Sequence, residues 1–320
     1  MKVLLSYKKT KLFLLSWLNK RYFKFIVIFF ITILTEVLHY KLSERNIETN
    51  FQYIFTFWEP HNSLPGYIKL CIKTWKKYLP KFYKIVVLDY QNLQDYLDFK
   101  LIDKIVCKQM ALSFQSDAIR VAILQKYGGI WMDCDTIITN SKCMNIFNGS
   151  DLFMLGISKE NHPHIGFIKA SKNSTVLKAW LNGIIKRVRI YKNNLFFKHI
   201  IPNKIYKIFF EKLLTWDYLG NGILNEIIKN TPEKDFKLVK REEAYVFPEL
   251  HFLKGSESNC YKEFYFSSGD PLPVLKKCKG MMILHNSWTP KKYKEMSEEK
   301  FLQQDIMLAR LLSKLLNSDS

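Results

Sequence analysis

Two aspartates separated by a single cysteine, Asp133 and Asp135, stand in the stretch YGGIWMDCDT at residues 127–136. Three roles fit that spacing. Aspartate favours turns, so the pair can be plain loop punctuation. A carboxylate after a buried strand can be a phosphatase nucleophile. The two carboxylates can also clamp a divalent cation on a diphosphate and neutralise the charge that develops as a nucleotide leaves. In an extended segment, residues at i and i+2 share one side, which points Asp133 and Asp135 at one ion and turns Cys134 inward. Asp117 and Arg120, at i and i+3, share a helix face just upstream. Downstream, MMILHNSW supplies His285 as a further metal ligand and Trp288 as an aromatic.

Pattern predicts the elements that must position these residues. FQYIFTFW, from residue 51, is apolar enough for a buried parallel strand. GYIKLCIKTWKKYLP predicts a helix with Ile68, Cys71, Ile72, Trp75 and Leu79 on one face, stopped by Pro80. YKIVVLDY reads as a second strand, and QNLQDYLDFKLIDKIV as short helical pieces. ALSFQSDAIRVAILQKYGG predicts a strong helix ended by Gly128 and Gly129. IWM is then a third strand with the aspartates at its carboxyl end. DLFMLGIS and IGFIKAS read as strands, Ser174 to Asn230 as helix-rich, KGMMILH as a late strand, and a last helix starts near Ser297. The order predicts an α/β fold with a mostly parallel central sheet and helices on both faces. Ligands of such folds bind outside the carboxyl ends of the strands, where the aspartates fall.

The 320 residues carry a net charge of +20, which calls for an acidic partner such as an anionic membrane or a phosphate-bearing substrate. No compact basic block sits in a nucleic-acid motif, so nucleic acid is not expected as a partner. Lys2, Lys8, Lys9, Lys11, Lys20, Arg21 and Lys24 precede the first acid, Glu36. The apolar run Phe25 to Thr35 is short for a membrane span, and no small-x-small cleavage site follows it. Residues 1–45 therefore read as a basic, apolar membrane-associating segment lying in the interface, ahead of a catalytic domain at 46–320. The six cysteines form no CxxC pair and read as core fillers.

SFQSDAIRVAILQKYGGIWMDCDTII resembles the signature of the DXD-containing sugar transferases of glycosyltransferase family 32. It is most similar to the capsular polysaccharide synthesis protein group. YIFTFWEP, IVVLD and HNSWTPKKY are similar to that group's opening and closing elements. The resemblance implies a GT-A-like (Rossmann-like) nucleotide-sugar-binding fold, Mn2+ or Mg2+, and a nucleotide-sugar donor, with a UDP-sugar preferred. It implies transfer of a hexose-type sugar, with retention, to a cell-surface glycan or a lipid-linked glycan acceptor. Asp135 is implied as the main metal ligand and Asp133 as a ribose or sugar contact that reaches the ion through water. Asp117 and Arg120 would hold the donor sugar, and His285 or Ser287 would complete the ion's shell. Trp288 would donate its indole N–H to a phosphate, and Trp58 would flank the nucleotide. Asp217 and Asn221, in WDYLGNG, stand where relatives place acceptor-facing residues. Relatives often carry an Asn near Gly166, and this chain does not.

The implied setting is the cytoplasmic face of a bacterial inner membrane, or a single-pass Golgi protein in a eukaryote. Two other readings of the residues stay open. A haloacid-dehalogenase-type phosphatase would use Asp133 as nucleophile, but wants Thr or Val where this chain has Ile137, with Thr136 one place early. A non-enzymatic basic membrane scaffold would need neither aspartate.

Overall fold

Strand β1 (Gln52–Phe57) lies between β2 (Tyr83–Leu88) and β3 (Gly129–Met132), parallel to both. The computed structural model describes residues 52–146, 152–156, 163–198, 215, 217–232, 235–239 and 257–318, except for the side chains of 145–146, 196–198 and 257. The membrane-associating segment expected at 1–45 lies outside the described residues. No helix among the described residues is long and apolar enough to cross a membrane.

The central sheet has the order β2-β1-β3-β6-β5-β7, where β5 is Leu152–Gly156, β6 is Pro163–Ala170 and β7 is Lys237–Val239. Every strand points the same way except β6, which pairs antiparallel with β3 and with β5. This is the α/β architecture with a mostly parallel sheet that the element order predicts. A separate antiparallel pair joins β4 (Thr136–Ile138) to β8 (Met281–Ile283).

Period-two alternation builds a core on each face. Ile54, Ile130, Met132, Phe153, Leu155 and Phe167 point into one core. Tyr53, Phe55, Phe57, Trp131, Met154 and Ile168 point into the other. The first face is covered by α1 (Gly66–Tyr78), whose expected stripe of Ile68, Cys71, Ile72, Trp75 and Leu79 is buried. The second face is covered by α3 (Leu112–Tyr127), which is packed in turn beneath α4 (Thr175–Lys198). The short α2 (Phe99–Ile105) and α5 (Asn221–Ile228) flank α4.

Helix α3 ends as its glycine pair requires. Gly128 and Gly129 have φ of 68° and 91°. A Cβ at Gly128 would sit 2.6 Å from Lys172 N, and one at Gly129 2.6 Å from Tyr53 O. Positive φ and close backbone approach together exclude larger residues, so the chain turns at once from α3 into β3.

The remaining elements are α6 (Glu257–Phe266), α7 (Leu272–Lys277), α8 (Lys291–Lys294), α9 (Glu298–Leu302) and α10 (Met307–Asn317). Ser297 caps α9 by accepting from Lys300 N at 3.3 Å, so a helix starts where expected, but it ends at Leu302 and the last helix, α10, begins only at Met307. Helices α9 and α10 pack on α1, and Leu308, Leu311, Leu312 and Leu315 of α10 are buried there. The last quarter of the chain thus returns to the sheet's first face.

Candidate active site

The aspartate pair sits where β3 ends. Asp133 N donates to Gly166 O at 2.8 Å, and Thr136 N donates back to Asp133 O at 3.0 Å. The second bond closes a turn over Asp133–Thr136, so the segment is not extended as its i, i+2 spacing suggests. Cys134 is buried as expected, and its Sγ lies 3.4 Å from Phe57 O. That contact puts the turn beside the carboxyl end of β1, next to Trp58.

Arg120 ties helix to turn. One nitrogen of its fork, Nη2, lies 3.2 Å from Asp117 Oδ1 and 3.3 Å from Asp133 Oδ1. The other, Nη1, donates to Ile165 O on β6 at 2.5 Å. The guanidinium lies over the Trp131 ring, 5.1 Å from its centre, and Trp131 Nε1 donates to Asp133 Oδ1 at 2.8 Å. A planar, multi-donor group is what a site with this many acceptors needs. Asp117 and Arg120 are 7% and 5% exposed, so their pairing is a buried one.

The electrostatics follow from three carboxylates around one guanidinium. Burial, opposed by Arg120 and reinforced by Asp133, raises the Asp117 carboxyl to about 7. Burial and the charge of Asp133 raise Asp135 to about 7 as well, against the bond from Asn286. The cluster is short of positive charge, which is a condition for binding a cation. Lys294 feels Asp135 too, although burial lowers its own pKa.

The C-terminal segment completes this wall. Leu284 N donates to Asp135 O at 3.1 Å, and Asn286 N donates to Asp135 Oδ2 at 2.8 Å. His285 follows β8 with its ring 4.1 Å from that of Trp288, and both rings contact Tyr261. Burial, then the neighbouring His164, lowers the His285 pKa to about 4, so the imidazole is neutral at pH 7. Ser287 is exposed, and the segment's hydrogen bond to Asp135 comes from Asn286 instead. Trp58 is half-buried, with Nε1 3.4 Å from Ser63 Oγ.

Of the two residues expected to face an acceptor, the structure brings one to the wall. A Cβ at Gly220 would sit 2.9 Å from Asp117 Oδ2, so the chain at Gly220–Asn221 lies against the cluster. Asn221 Nδ2 donates to Pro163 O at 3.0 Å, and its Oδ1 is buried with no hydrogen-bond partner. Asp217 instead accepts from Gly222 N through its carbonyl, at the start of α5.

Sequence reasoning missed Asn286, Tyr67, Trp131 and His164. Their contributions run through a backbone N–H, a distant helix and two neighbouring strands. Only Trp131, adjacent to the aspartates, carried a local sign.

The donor chemistry of the aspartates bears on whether they could hold Mn2+ or Mg2+. Among the described residues, no three His, Cys, Asp or Glu side chains gather into a set able to hold a metal ion. Asp133 and Asp135 are hard oxygen donors, and a carboxylate has acceptor capacity beyond one or two N–H bonds. Magnesium-type ions commonly use one or two carboxylates and complete the shell with waters and substrate phosphates. The residues fit an ion site that a diphosphate finishes, not a closed protein cage.

A family described as capsular polysaccharide synthesis protein matches residues 26–266. No curated protein matches the chain. Among solved structures, the PaToxG glycosyltransferase is similar at 14% identity and TM-score 0.36, over 89% of this chain and 94% of that one. The glycosyltransferase GlyE of Streptococcus pneumoniae TIGR4 is similar at 10% identity and TM-score 0.41, over 85% of this chain and 61% of that one. The bifunctional glycosyltransferase WbbM is similar at 11% identity and TM-score 0.43, over 85% of this chain and 50% of that one. The chain therefore spans well under the full length of the last two.

Proposed function

Because the chain belongs to the capsular polysaccharide synthesis protein family, we propose that it is a glycosyltransferase with a GT-A-like nucleotide-sugar-binding domain. It moves a hexose-type sugar from a nucleoside diphosphate, preferably UDP, to a growing capsular or lipid-linked glycan. The observation that carries this reading is Arg120 bridging Asp117 and Asp133, beside Asp135, at the carboxyl ends of β1 and β3.

Each group has a task there. Asp117 and the Arg120 fork bind the donor sugar's hydroxyls through carboxylate and N–H. Asp133 and Asp135 are the residues that hold Mn2+ or Mg2+, which neutralises phosphate charge when bound. Neutral His285 flanks them, Trp288 offers its indole N–H to a phosphate, and Trp58 borders the nucleotide. Asn221, beside Gly220 against the Asp117 carboxylate, is the residue proposed to border the acceptor. The acceptor oxygen attacks the anomeric carbon as the bond to phosphate breaks. Its proton passes to the departing phosphate, giving a glycan one sugar longer and a nucleoside diphosphate. Attack from the leaving-group side retains configuration and needs no protein nucleophile. Asp133 Oδ1, already engaged by Trp131 and Arg120, suits a held ligand better than a phosphatase nucleophile.

Residues 1–45 would seat the enzyme on an anionic membrane, at the cytoplasmic face in a bacterium. Their deletion should shift the protein out of the membrane fraction, and unchanged partition would refute the anchor.

The function is tested by incubating purified protein with a panel of UDP- and GDP-sugars, with Mn2+ or with EDTA. Release of nucleotide from one donor is expected, lost in EDTA and in Asp135→Asn. Absence of both turnover and binding for every donor would overturn the reading.

A further inference from the structure

Asp135 is held by a segment about 150 residues downstream, and that segment is itself held from elsewhere. Tyr67, in the first turn of α1, is fully buried and donates its hydroxyl to Asn286 Oδ1. Asn286 N–H then donates to Asp135 Oδ2 at 2.8 Å. The same helix start accepts a second tie: Gly66 N donates to Met296 O at 3.1 Å. A Cβ at Gly66 would fall 2.5 Å from the Ser297 carbonyl carbon, so the C-terminal segment lies directly on this turn of α1. On the other side, Tyr261 O–H accepts from His285 N at 3.1 Å and lies 3.3 Å from Thr289 Oγ1.

We propose that Tyr67 is a positioning residue for the ion-binding carboxylate, acting through Asn286. The inference rests on the glycosyltransferase reading above, because it supposes that Asp135 holds a cation. The chemistry supports direction as well as contact. Burial, then the charge of Asp135, pushes the Tyr67 phenol far above its ordinary pKa. It stays protonated, so its hydroxyl can donate to Asn286 Oδ1, and that bond holds the amide plane. With that plane fixed, the loop presents its N–H at one point on Asp135. Phenylalanine in place of Tyr67 fills the same space but frees the loop to rotate. Partners behind a metal ligand typically change metal affinity about 10- to 100-fold when removed.

The test measures Mn2+ binding in the presence of UDP, by the electron paramagnetic resonance signal of free Mn2+, on the full chain. Wild type is compared with Tyr67→Phe, Asn286→Ala, the double variant and Tyr78→Phe. Tyr78 lies at the other end of α1, donates to Leu315 O at 2.7 Å and lies 3.2 Å from Ser318 Oγ, so its variant removes tyrosine hydrogen bonds from the same helix without touching the loop. Tyr67→Phe should weaken binding about tenfold or more, Asn286→Ala similarly, and the double variant no further than either. Tyr78→Phe should lower the melting temperature and leave Mn2+ affinity unchanged. Equal affinity in Tyr67→Phe and wild type, or equal weakening in Tyr67→Phe and Tyr78→Phe, would overturn the proposal while leaving the site's function intact. No ion binding by folded wild type would instead overturn the glycosyltransferase reading beneath it.

Discussion

Arg120 is the residue on which the site's geometry converges. It bonds Asp117, Asp133 and the Ile165 carbonyl from one planar fork. Lysine keeps the charge but cannot reach three acceptors on different elements. Arg120→Lys should cost about 2–4 kcal/mol of stability by leaving buried acceptors unpaired, read by chemical denaturation. It should also reduce donor turnover about 100-fold or more, because Asp117, the carboxylate proposed to bind the sugar, loses its orientation. The carboxylates make a second prediction. Asp117 and Asp135 have carboxyls raised to about 7, well above their unfolded values. Between about pH 4 and 7 the folded protein therefore holds protons that the unfolded chain has released. Stability of the ion-free protein should fall as pH rises through that window, and binding of Mn2+ with UDP should weaken as pH falls through 7. Asp135→Asn should flatten the first profile and raise stability at pH 8 by about 1–3 kcal/mol, measured by thermal melts. Asp117 and Arg120 were legible because i, i+3 spacing on a helix fixes neighbours. Asn286 was not, since a backbone N–H leaves no trace in side-chain type.

At the scale of elements, glycines act at both ends of β3: Gly128 where α3 turns into the strand, and Gly166 beside the aspartate turn that follows it. Gly128→Ala would force a side chain into φ of 68° and drive its Cβ to 2.6 Å from Lys172 N. A loss of about 2–4 kcal/mol is expected in denaturant titrations, because both strain and a backbone clash must relax. Gly166 acts closer to the chemistry. A Cβ there would lie 2.4 Å from the His164 ring and 2.8 Å from Asp133 Oδ2. Gly166→Ala should therefore leave the circular dichroism spectrum native while cutting turnover at least about tenfold by displacing the carboxylate. Most elements were readable: α1 carries an apolar stripe at helical spacing, while β1 and α3 are apolar runs buried on both sides and bounded by a loop or a glycine pair. The reversed direction of β6 was not, since alternation is the same in a parallel and an antiparallel strand. Nor was the Asp133–Thr136 turn, whose closing bond competes with an extended conformation that the same residues would adopt in a longer strand.

For the molecule as a whole, the family resemblance and the structural unit do not end together. The family match stops at residue 266, yet β8, the segment bearing Asn286, and α10 lie beyond it. These parts cover Ile137 and Ile138 of β4 and the buried face of α1. A chain ended at Phe266 should expose that face, bind a hydrophobic dye and fail to show a cooperative melt. The pairing of β4 with β8 also sets an order in time. A polypeptide emerges from the ribosome amino end first, at several to about twenty residues per second. The aspartates are in the open well before the strand and amide that fix the second of them. Chains stalled on the ribosome at Phe266 should therefore capture no UDP in the presence of Mn2+, and released full-length chains should. Synthesis itself would then act as the enzyme's activation step, with the sugar donor ignored until translation has passed residue 286.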